Sequence, residues 1–168
     1  RRPVFVGLAG VFERGKGGYI NKSGNFIIRP EFDYAAPFAN GLAAVRIGKE
    51  WGFVDKAGKM AIGAQFDDAG SFTEGLARVR VRSKHCYIDS DGKFLIAPQF
   101  EEASYFAEGL AWARQADKYG YIDKTGQFAI PARYDGVDVF TGKLARVSIG
   151  GKQVYIDKAG RNVWPPSH

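Results

Sequence analysis

His85 and Cys86 place an imidazole base next to a thiol, the residue types that nucleophilic catalysis uses. Adjacent residues of a strand point to opposite faces, so these two side chains cannot act on each other. The other histidine, His168, is the last residue of the chain and does not complete a triad. We therefore interpret the pair as drift at a strand position and predict no catalytic residue.

Carboxylates recur once in each of four short segments: Asp33, Asp67 with Asp68, Glu101 with Glu102, and Asp135. Glycoside hydrolysis needs two carboxylates within roughly 10 Å of each other. Only a closed ring would bring such repeated acids together near its axis. We favour turn-capping and solvated acids, and a hydrolase with its acids at the mouth of a propeller is the third and least favoured alternative.

Metal, phosphate and disulfide chemistry lack the residues they need. The chain has 1 Cys and 2 His, too few for a disulfide or a Cys/His zinc site. Its 22 glycines form no Gly-x-Gly-x-x-Gly between a strand and a helix. We predict no cofactor and no metal, and stability that comes from packing.

Arginines and aromatic residues form the pattern with the most functional content. Strand alternation places two columns on one face: Arg46, Arg80 and Arg114, and two residues earlier Arg78, Trp112 and Arg146. A two-residue turn would pair the first column with Trp51, His85 and Tyr119. The candidate binding residues, which we call the arginine–aromatic surface, are Arg46, Trp51, Arg78, Arg80, Trp112, Arg114, Tyr119 and Arg146.

Two interpretations of this surface stay open. Arginines over rings contribute about 0.5–1 kcal/mol each at exposed sites, which is a sufficient structural reason for the pattern and the one we favour. The functional interpretation is a basic, aromatic surface for an anionic or planar partner.

A repeat of 34 residues positions all of these side chains. The aromatic column is Tyr19, Phe53, Tyr87, Tyr121 and Tyr155, the glycine column is Gly24, Gly58, Gly92, Gly126 and Gly160, and the leucine column is Leu8, Leu42, Leu76, Leu110 and Leu144. No gap is needed in any column. The chain therefore contains five units, written in permuted order.

Each unit is predicted to be a meander of three short strands. Residues 42–47 and 51–55 form a hairpin, and a third strand covers 59–62. Between these last two strands, Asp-Lys-x-Gly fits a type I turn with a left-handed glycine and a carboxylate that accepts a turn N–H. The segment that leads to the next unit is predicted to be short and irregular. We expect Ala43, Val45 and Val54 to be buried with Phe66 and Phe72.

Three motifs carry a family resemblance. They are Tyr-Gly-Tyr-Ile-Asp-Lys-x-Gly at 119–126, Ile-x-Pro-x-Phe-Asp at 28–33, and Phe-x-Glu-Gly-Leu-Ala-x-Val-Arg at 72–80. Together they resemble the bacterial WG-repeat family, also called KWG repeats, over essentially the whole chain. The naming dipeptide occurs once, at Trp51-Gly52. The resemblance implies a β-repeat domain for which no common catalytic site is established.

Units of this size cannot bury an apolar face alone, so neighbouring units must stack. The predicted fold is all-β, with five tandem β-meander repeats in an open, twisted, solenoid-like array, and the open form is favoured because the family resemblance implies a variable number of repeats. The alternative is a closed five-unit propeller-like ring. We expect residues 1–168 to be one domain of a longer protein, with units at about 3–30, 31–64, 65–98, 99–132 and 133–164.

Composition narrows the class of partner. The chain is 45% hydrophobic and 25% charged, as in ordinary globular proteins, and its apolar runs are too short for a membrane span, so we predict no membrane insertion. Its net charge is +6, but 18 acidic residues interleaved with 24 basic ones dilute the basic field and do not favour nucleic acid.

We therefore predict a non-enzymatic repeat module or scaffold that binds another macromolecule, and we favour a protein partner. The alternative is an envelope glycan or peptidoglycan, or another anionic polymer, bound through exposed aromatics. The sequence does not distinguish cytoplasm from cell envelope.

Overall fold

The repeat units fold into five antiparallel β-sheets that follow one another along the chain. The structure is a computed structural model that describes residues 7–165. Residues 3–6 of the first predicted unit, like residues 1, 2 and 166–168 of the predicted domain, lie outside the described range. Within residues 7–165 every regular element is a strand and none is a helix.

Sheet 1 contains β1 Ala9–Glu13, β2 Lys16–Ile20 and β3 Phe26–Phe32. Sheet 2 contains β4 Tyr34–Ala35, β5 Leu42–Ile47, β6 Glu50–Asp55 and β7 Met60–Phe66. Sheet 3 contains β8 Asp68–Thr73, β9 Leu76–Val81, β10 Lys84–Ile88 and β11 Phe94–Phe100. Sheet 4 contains β12 Glu102–Ala103, β13 Ala111–Gln115, β14 Lys118–Ile122 and β15 Phe128–Tyr134. Sheet 5 contains β16 Gly136–Val137, β17 Leu144–Ile149, β18 Lys152–Asp157 and β19 Asn162–Trp164.

Local turn chemistry holds each sheet together as the sequence predicts. Gly58 has φ +87°, and the Asp55 Oδ1 accepts hydrogen bonds from the amides of Ala57 at 2.9 Å and Lys59 at 3.0 Å. The same carboxylate geometry recurs at Asp89, Asp123 and Asp157. A left-handed glycine therefore reverses the chain between the last two strands of each unit, with an Asp cap in sheets 2–5 and the Asn21 side chain in its place in sheet 1.

The predicted count of three strands per unit is wrong for sheets 2–5, which have four. The connecting segment contributes a short first strand, such as Tyr34–Ala35, and the third strand of the prediction runs on to Phe66 instead of ending at 62. Opposite Gly52, β7 carries a bulge, because Trp51 pairs with Phe66 while Phe53 pairs with Ile62. The bulge interrupts the alternation of buried and exposed residues along β7, so the alternation in the sequence does not predict the full length of this strand.

The sheets stack face to face, so both faces of the inner sheets are buried. In sheet 2, one set (Ala43, Val45, Val54) packs against Tyr19 of sheet 1. The other set (Ala44, Phe53, Phe66) packs against Phe72 of sheet 3. The predicted residues are all buried, but the prediction of one shared face is wrong. We call the side toward the next sheet the leading face and the opposite side the trailing face.

The array is open. Four apolar clusters join sheet 1 to 2, 2 to 3, 3 to 4 and 4 to 5 in chain order. Among the residues described, no such cluster joins sheet 5 to sheet 1. The open, solenoid-like array is therefore confirmed over the closed ring.

The arginine–aromatic surface and the open end of the stack

The hairpins place the predicted arginines opposite their expected neighbours. Arg46 pairs with Trp51, Arg80 with His85 and Arg114 with Tyr119, as the two-residue turns predict. All six side chains are half-buried or buried. They lie on the leading faces of sheets 2, 3 and 4, near the hairpin end.

Arg114 is the most heavily paired of these arginines. Its guanidinium lies 5.8 Å from the ring centre of Tyr119 and forms ion pairs with Glu101, Glu102 and Asp117 at 3.6, 3.2 and 2.8 Å. The Tyr119 hydroxyl donates to Glu102 at 2.8 Å, and burial together with this bond raises the pKa of Tyr119. The positive charge is thus neutralised within its own sheet.

Arg78 links sheet 3 to sheet 4. Its Nη1 donates to the Ala103 carbonyl at 3.1 Å, and its Nη2 lies 3.4 Å from Asp68. The neighbouring His85 is buried, and burial first, then the charges of Arg78 and Arg80, lower its pKa. Here the arginine stabilises the junction between two repeats.

Arg46 and Arg80 have no carboxylate within 4 Å among residues 7–165, unlike Arg114. Trp51 packs against the core and lies 5.3 Å from the ring centre of Tyr34. Of the three predicted stacks on this surface, only Arg114 on Tyr119 is a cation–π contact within the described range.

The last two predicted residues, Trp112 of sheet 4 and Arg146 of sheet 5, meet at a cleft lined otherwise by residues of sheet 5 and the segment before β17. The cleft has a volume of about 670 Å³ and is lined by Trp112, Val137, Asp138, Val139, Thr141, Leu144, Arg146 and Tyr155. Arg146 is half-exposed and paired with Asp138 at 2.9 Å. The Trp112 ring meets Tyr119 edge-on, with centres 5.5 Å apart. The structure thus brings two predicted residues to an open surface.

Residues of sheet 5 around this cleft are more exposed than the residues at the equivalent repeat positions of sheet 4. Tyr155 is 39% exposed where Tyr121 is fully buried, and Leu144 is 38% exposed where Leu110 is 8% exposed. Trp164, in the column of Ile130, is 58% exposed where Ile130 is 1% exposed. We call Leu144, Tyr155 and Trp164 the C-terminal end face. It has the residue types of a stacking surface, and no sheet within residues 7–165 packs on it.

Sequence reasoning missed Leu144, Tyr155 and Trp164 as surface residues. They are apolar or aromatic residues at repeat positions that are buried in the other units, so the strand pattern alone assigns them to the core. They are exposed in the structure because no sheet within residues 7–165 packs on the leading face of sheet 5.

The described residues contain no group of three or more His, Cys, Asp or Glu side chains that could hold a metal ion. Cys86 is buried with its Sγ 3.4 Å from the Val79 carbonyl, and burial raises the pKa of this thiol to about 12. Nor do residues 7–165 form any helix long and apolar enough to cross a membrane.

Comparison with protein families identifies the repeat. The model of the WG containing repeat matches four times, at residues 18–51, 51–84, 87–119 and 119–152. The chain belongs to the WG-repeat family. Among curated proteins the sequence finds no match.

One solved structure similar to this WG-repeat chain is a plant lectin with two metal-binding sites from Cicer arietinum. It is 14% identical, with a TM-score of 0.32, and the match covers 74% of this chain and 86% of that one. A TM-score this low does not establish a shared fold, and the likeness carries no information on a ligand.

The glycine of the Trp-Gly pair has a steric reason in the WG fold. A Cβ on Gly52 would lie 2.6 Å from the Ile62 carbonyl oxygen, and one on Gly120 would lie 2.5 Å from that of Ile130. The bulged strand passes close to the glycine in each case. Strand packing therefore requires the glycine of the pair. Family membership together with the repeated sheet architecture points to a non-enzymatic binding repeat.

Proposed function

We propose that this WG-repeat domain is a non-enzymatic module that binds another protein, and that the end cleft is its main contact surface. The observation that carries the proposal is the meeting of exposed aromatic and aliphatic side chains with an arginine at one cleft of about 670 Å³. Aromatic residues and arginine are the types enriched where proteins bind proteins.

The composition of the cleft supports a protein partner. Tyr155, Leu144 and Trp112 contribute apolar area to its lining. The Arg146–Asp138 ion pair is about half-exposed, so it belongs to a polar rim and gives orientation more than affinity. We propose Trp112 and Arg146 as contact residues.

The other six residues of the arginine–aromatic surface are assigned a supporting role in this proposal. Arg114 and Tyr119 are bound to Glu102, and Arg78 is bound to Ala103. These contacts engage the guanidinium groups of Arg78 and Arg114, whereas Arg46 and Arg80 have no carboxylate within 4 Å among residues 7–165. The engagement of Arg78 and Arg114 leaves fewer cations for a nucleic acid or an acidic glycan and so favours a protein.

A neutral glycan is also less well supported. Sugar stacking needs aromatic faces exposed in line, whereas Trp51, Trp112 and Tyr119 are each half-buried against other side chains. A hydrolase with its acids at a ring axis is also less well supported, because that alternative requires a closed ring and the described stack is open.

The test is selection of peptides from a displayed random library on the immobilised domain, with the Tyr155→Ser and Arg146→Ala variants as counter-targets. We expect enriched peptides that bind the wild type and lose at least about tenfold in affinity for each variant, as for truncation of an interface anchor. The matched control is Arg29→Ala, which removes an equal charge from an exposed residue of sheet 1.

Peptides that bind the variants and wild type equally would move the site away from the cleft. A glycan array probed with the same protein completes the experiment. Enrichment of a sugar family in place of peptides would overturn the protein-binding proposal.

A further inference from the structure

A small cavity lies inside the stack at the junction between sheets 3 and 4. It has a volume of about 230 Å³ and is lined by Gly70, Ser71, Thr73, Arg78 and Tyr105. The first four residues belong to β8 and β9, and Tyr105 follows the first strand of sheet 4. The cavity is separate from the cleft of the proposed function, with which it shares no lining residue.

Two polar atoms of the lining residues are buried and have no hydrogen-bond partner among the described residues: the Thr73 Oγ1 and the Arg78 Nε. The other nitrogens of Arg78 are occupied, since Nη1 donates to the Ala103 carbonyl and Nη2 lies 3.4 Å from the Asp68 carboxylate. Buried polar groups in folded proteins are normally hydrogen-bonded. The cavity thus holds one N–H donor and one hydroxyl that are available to a ligand.

The equivalent arginine of sheet 5 binds a carboxylate at this same atom. Arg146 stands at the repeat position of Arg78, and its Nε donates to the Asp138 carboxylate at 2.9 Å. Asp138 in turn stands at the repeat position of Gly70, which has no side chain. A Cβ on Gly70 would lie 3.8 Å from the Nη2 and 3.9 Å from the Nε of Arg78, in ordinary van der Waals contact. The glycine therefore leaves open the position from which a carboxylate reaches the arginine in sheet 5.

Among sheets 2–5, the combination of a glycine with this threonine and this arginine occurs in sheet 3 alone. The corresponding residues are Ala36, Ala39 and Ala44 in the unit of sheet 2 and Ser104, Ala107 and Trp112 in the unit of sheet 4. Neither of these units has the arginine, and in sheet 5 the arginine is bound by its own aspartate. The arginine with an unbound Nε at this repeat position is therefore a feature of one junction.

The charges beside the cavity favour an anion. Asp68 pairs with Arg80 in the register of β8 and β9, and its carboxylate lies within ion-pair distance of Arg78. Arg80 has no carboxylate within 4 Å among residues 7–165. Two arginines therefore share one carboxylate, which leaves one positive charge for a ligand to balance.

We propose that the cavity binds a carboxylate ligand, whose charged group takes on Arg78 the place that Asp138 takes on Arg146. The inference goes beyond the proposed function and adds a second site. One carboxylate oxygen accepts a hydrogen bond from the Arg78 Nε, and the other accepts one from the Thr73 hydroxyl. The volume is below the about 300–1,000 Å³ of pockets for drug-sized molecules, so the part of the ligand that enters has the size of a single ring.

Tyr105 forms the part of the wall that a ligand can displace. Its side chain is 50% exposed and makes no hydrogen bond or ring contact with the described residues. Rotation of this side chain opens the cavity, and its ring then offers a flat apolar surface to the body of the ligand. An aromatic carboxylate therefore fits better than an aliphatic one.

The experiment titrates the protein with benzoate to about 10 mM, a range that covers weak binding, and follows the Arg78 Nε–H signal and the Gly70 amide by proton–nitrogen NMR. Benzamide has the same shape without the charge and is the matched probe. We expect benzoate to bind with a dissociation constant of about 0.1–1 mM, and benzamide to bind at least about tenfold more weakly. N-acetylphenylalanine, which mimics a peptide C-terminus, separates two sources of the carboxylate: weaker binding than benzoate assigns the site to a small molecule, and tighter binding assigns it to a chain end.

Two variants copy residues that other units hold at these positions. Gly70→Asp copies the aspartate of sheet 5 and supplies an internal carboxylate to Arg78, so benzoate binding should fall at least about tenfold. Thr73→Ala copies the alanine of the units of sheets 2 and 4 and should weaken binding about three- to tenfold, because one hydrogen bond is lost. The control is Gly63→Asp, which makes the same change of charge at a glycine that has open space and lacks a positive φ.

Thermal unfolding checks that each variant is folded, and if one of the two cavity variants does not fold, the other decides. No binding of benzoate up to about 10 mM would overturn the inference. So would equal binding of benzoate and benzamide, or cavity variants that bind benzoate as the wild type does. A loss of binding in Gly63→Asp as large as that in Gly70→Asp would show an effect of net charge alone and would also overturn it.

Discussion

Tyr121 and Tyr155 occupy the same position of the repeat in neighbouring sheets and have opposite environments. Tyr121 is buried between sheets 4 and 5, and its hydroxyl donates to Asp138. Tyr155 sits on the open end with its ring against Trp164, 6.2 Å between centres. The repeat sequence fixes the backbone position of a side chain, and the neighbouring sheet decides what that side chain contributes.

The different environments of Tyr121 and Tyr155 correspond to different contributions to the free energy of unfolding. In a stack of repeats, stability is approximately a sum of terms within each unit and terms between neighbours. Residues of an inner leading face carry a between-neighbour term, and those of the end face lack it. Matched substitutions in one column therefore separate the two terms.

The largest contrast is expected from truncation of the aromatic column. Tyr121→Ala should lower the free energy of unfolding by about 3–5 kcal/mol, since it empties a filled core position. Tyr155→Ala, at a surface site, should change it by less than about 1 kcal/mol. Urea unfolding followed by circular dichroism measures both.

Equal losses for the two variants would mean that the end face is covered in solution. Repeating the measurement at low protein concentration distinguishes that case, because a cover supplied by a second copy is lost on dilution.

Turn glycines give the next contrast. A Cβ on Gly126, at φ +87°, would lie 2.9 Å from the Ile96 side chain of the previous sheet. Gly24, at φ +80° in sheet 1, has nothing within 4 Å. Gly24→Ala should therefore lower stability by about 1–2 kcal/mol from left-handed strain alone, and Gly126→Ala should lower it further.

Thermal midpoints of the two variants give the comparison, with Gly63→Ala as control, because Gly63 has open space and lacks a positive φ. A Gly126 variant no less stable than the Gly24 variant would show that the Ile96 side chain gives way without loss.

A smaller difference in stability is expected when only the tyrosine hydroxyl is removed. Tyr121→Phe removes the donor to the Asp138 carbonyl and should lower stability by about 1–2 kcal/mol. Tyr155→Phe removes a hydroxyl that has no partner in the described structure and should leave stability unchanged. Chemical denaturation midpoints measured side by side test this pair.

One unit already has phenylalanine in place of the tyrosine at this repeat position. Phe53 stands in the tyrosine column, and the segment that follows forms the six-residue strand Asp68–Thr73. Where Tyr19 and Tyr87 donate to Ala36 and Ser104, the corresponding strand has two residues. A missing hydroxyl thus accompanies a longer edge strand.

Much of the fold was predictable because turn chemistry is local. The register of Arg46 with Trp51 follows from the two-residue turn, and the φ of Gly58 follows from the Asp-Lys-x-Gly spacing. The short strand Tyr34–Ala35 was not predictable, because two residues carry no periodic signal. The bulge opposite Gly52 also breaks the alternation on which strand prediction depends.

The candidate site was predictable only in part. Trp112 and Arg146 were expected at a surface, and both line the cleft. Leu144 and Tyr155 were not, since burial in a stack depends on the next sheet and a repeat column reports only the backbone position.

The smallest expected effect should be the same in both regions of the molecule. The Thr125 hydroxyl and the turn amides lower the pKa of Asp123, and the amide of Arg161 first among several donors lowers that of Asp157. A carboxyl whose folded pKa is depressed stabilises the fold above its unfolded pKa, near 3.8, and this contribution is lost as pH falls through the lower folded value.

Asp123→Asn and Asp157→Asn should therefore each lower the urea midpoint slightly at pH 6 and less at about pH 3, which lies below the unfolded pKa and where the stabilisation by the wild-type carboxylates is being lost. The two variants should behave alike, because the hydrogen bonds lie within each turn and do not depend on a covering sheet. A much larger effect at Asp123 than at Asp157 would show that the turn is coupled to the stack, and the division between local and neighbour-dependent contributions would then fail at the turn.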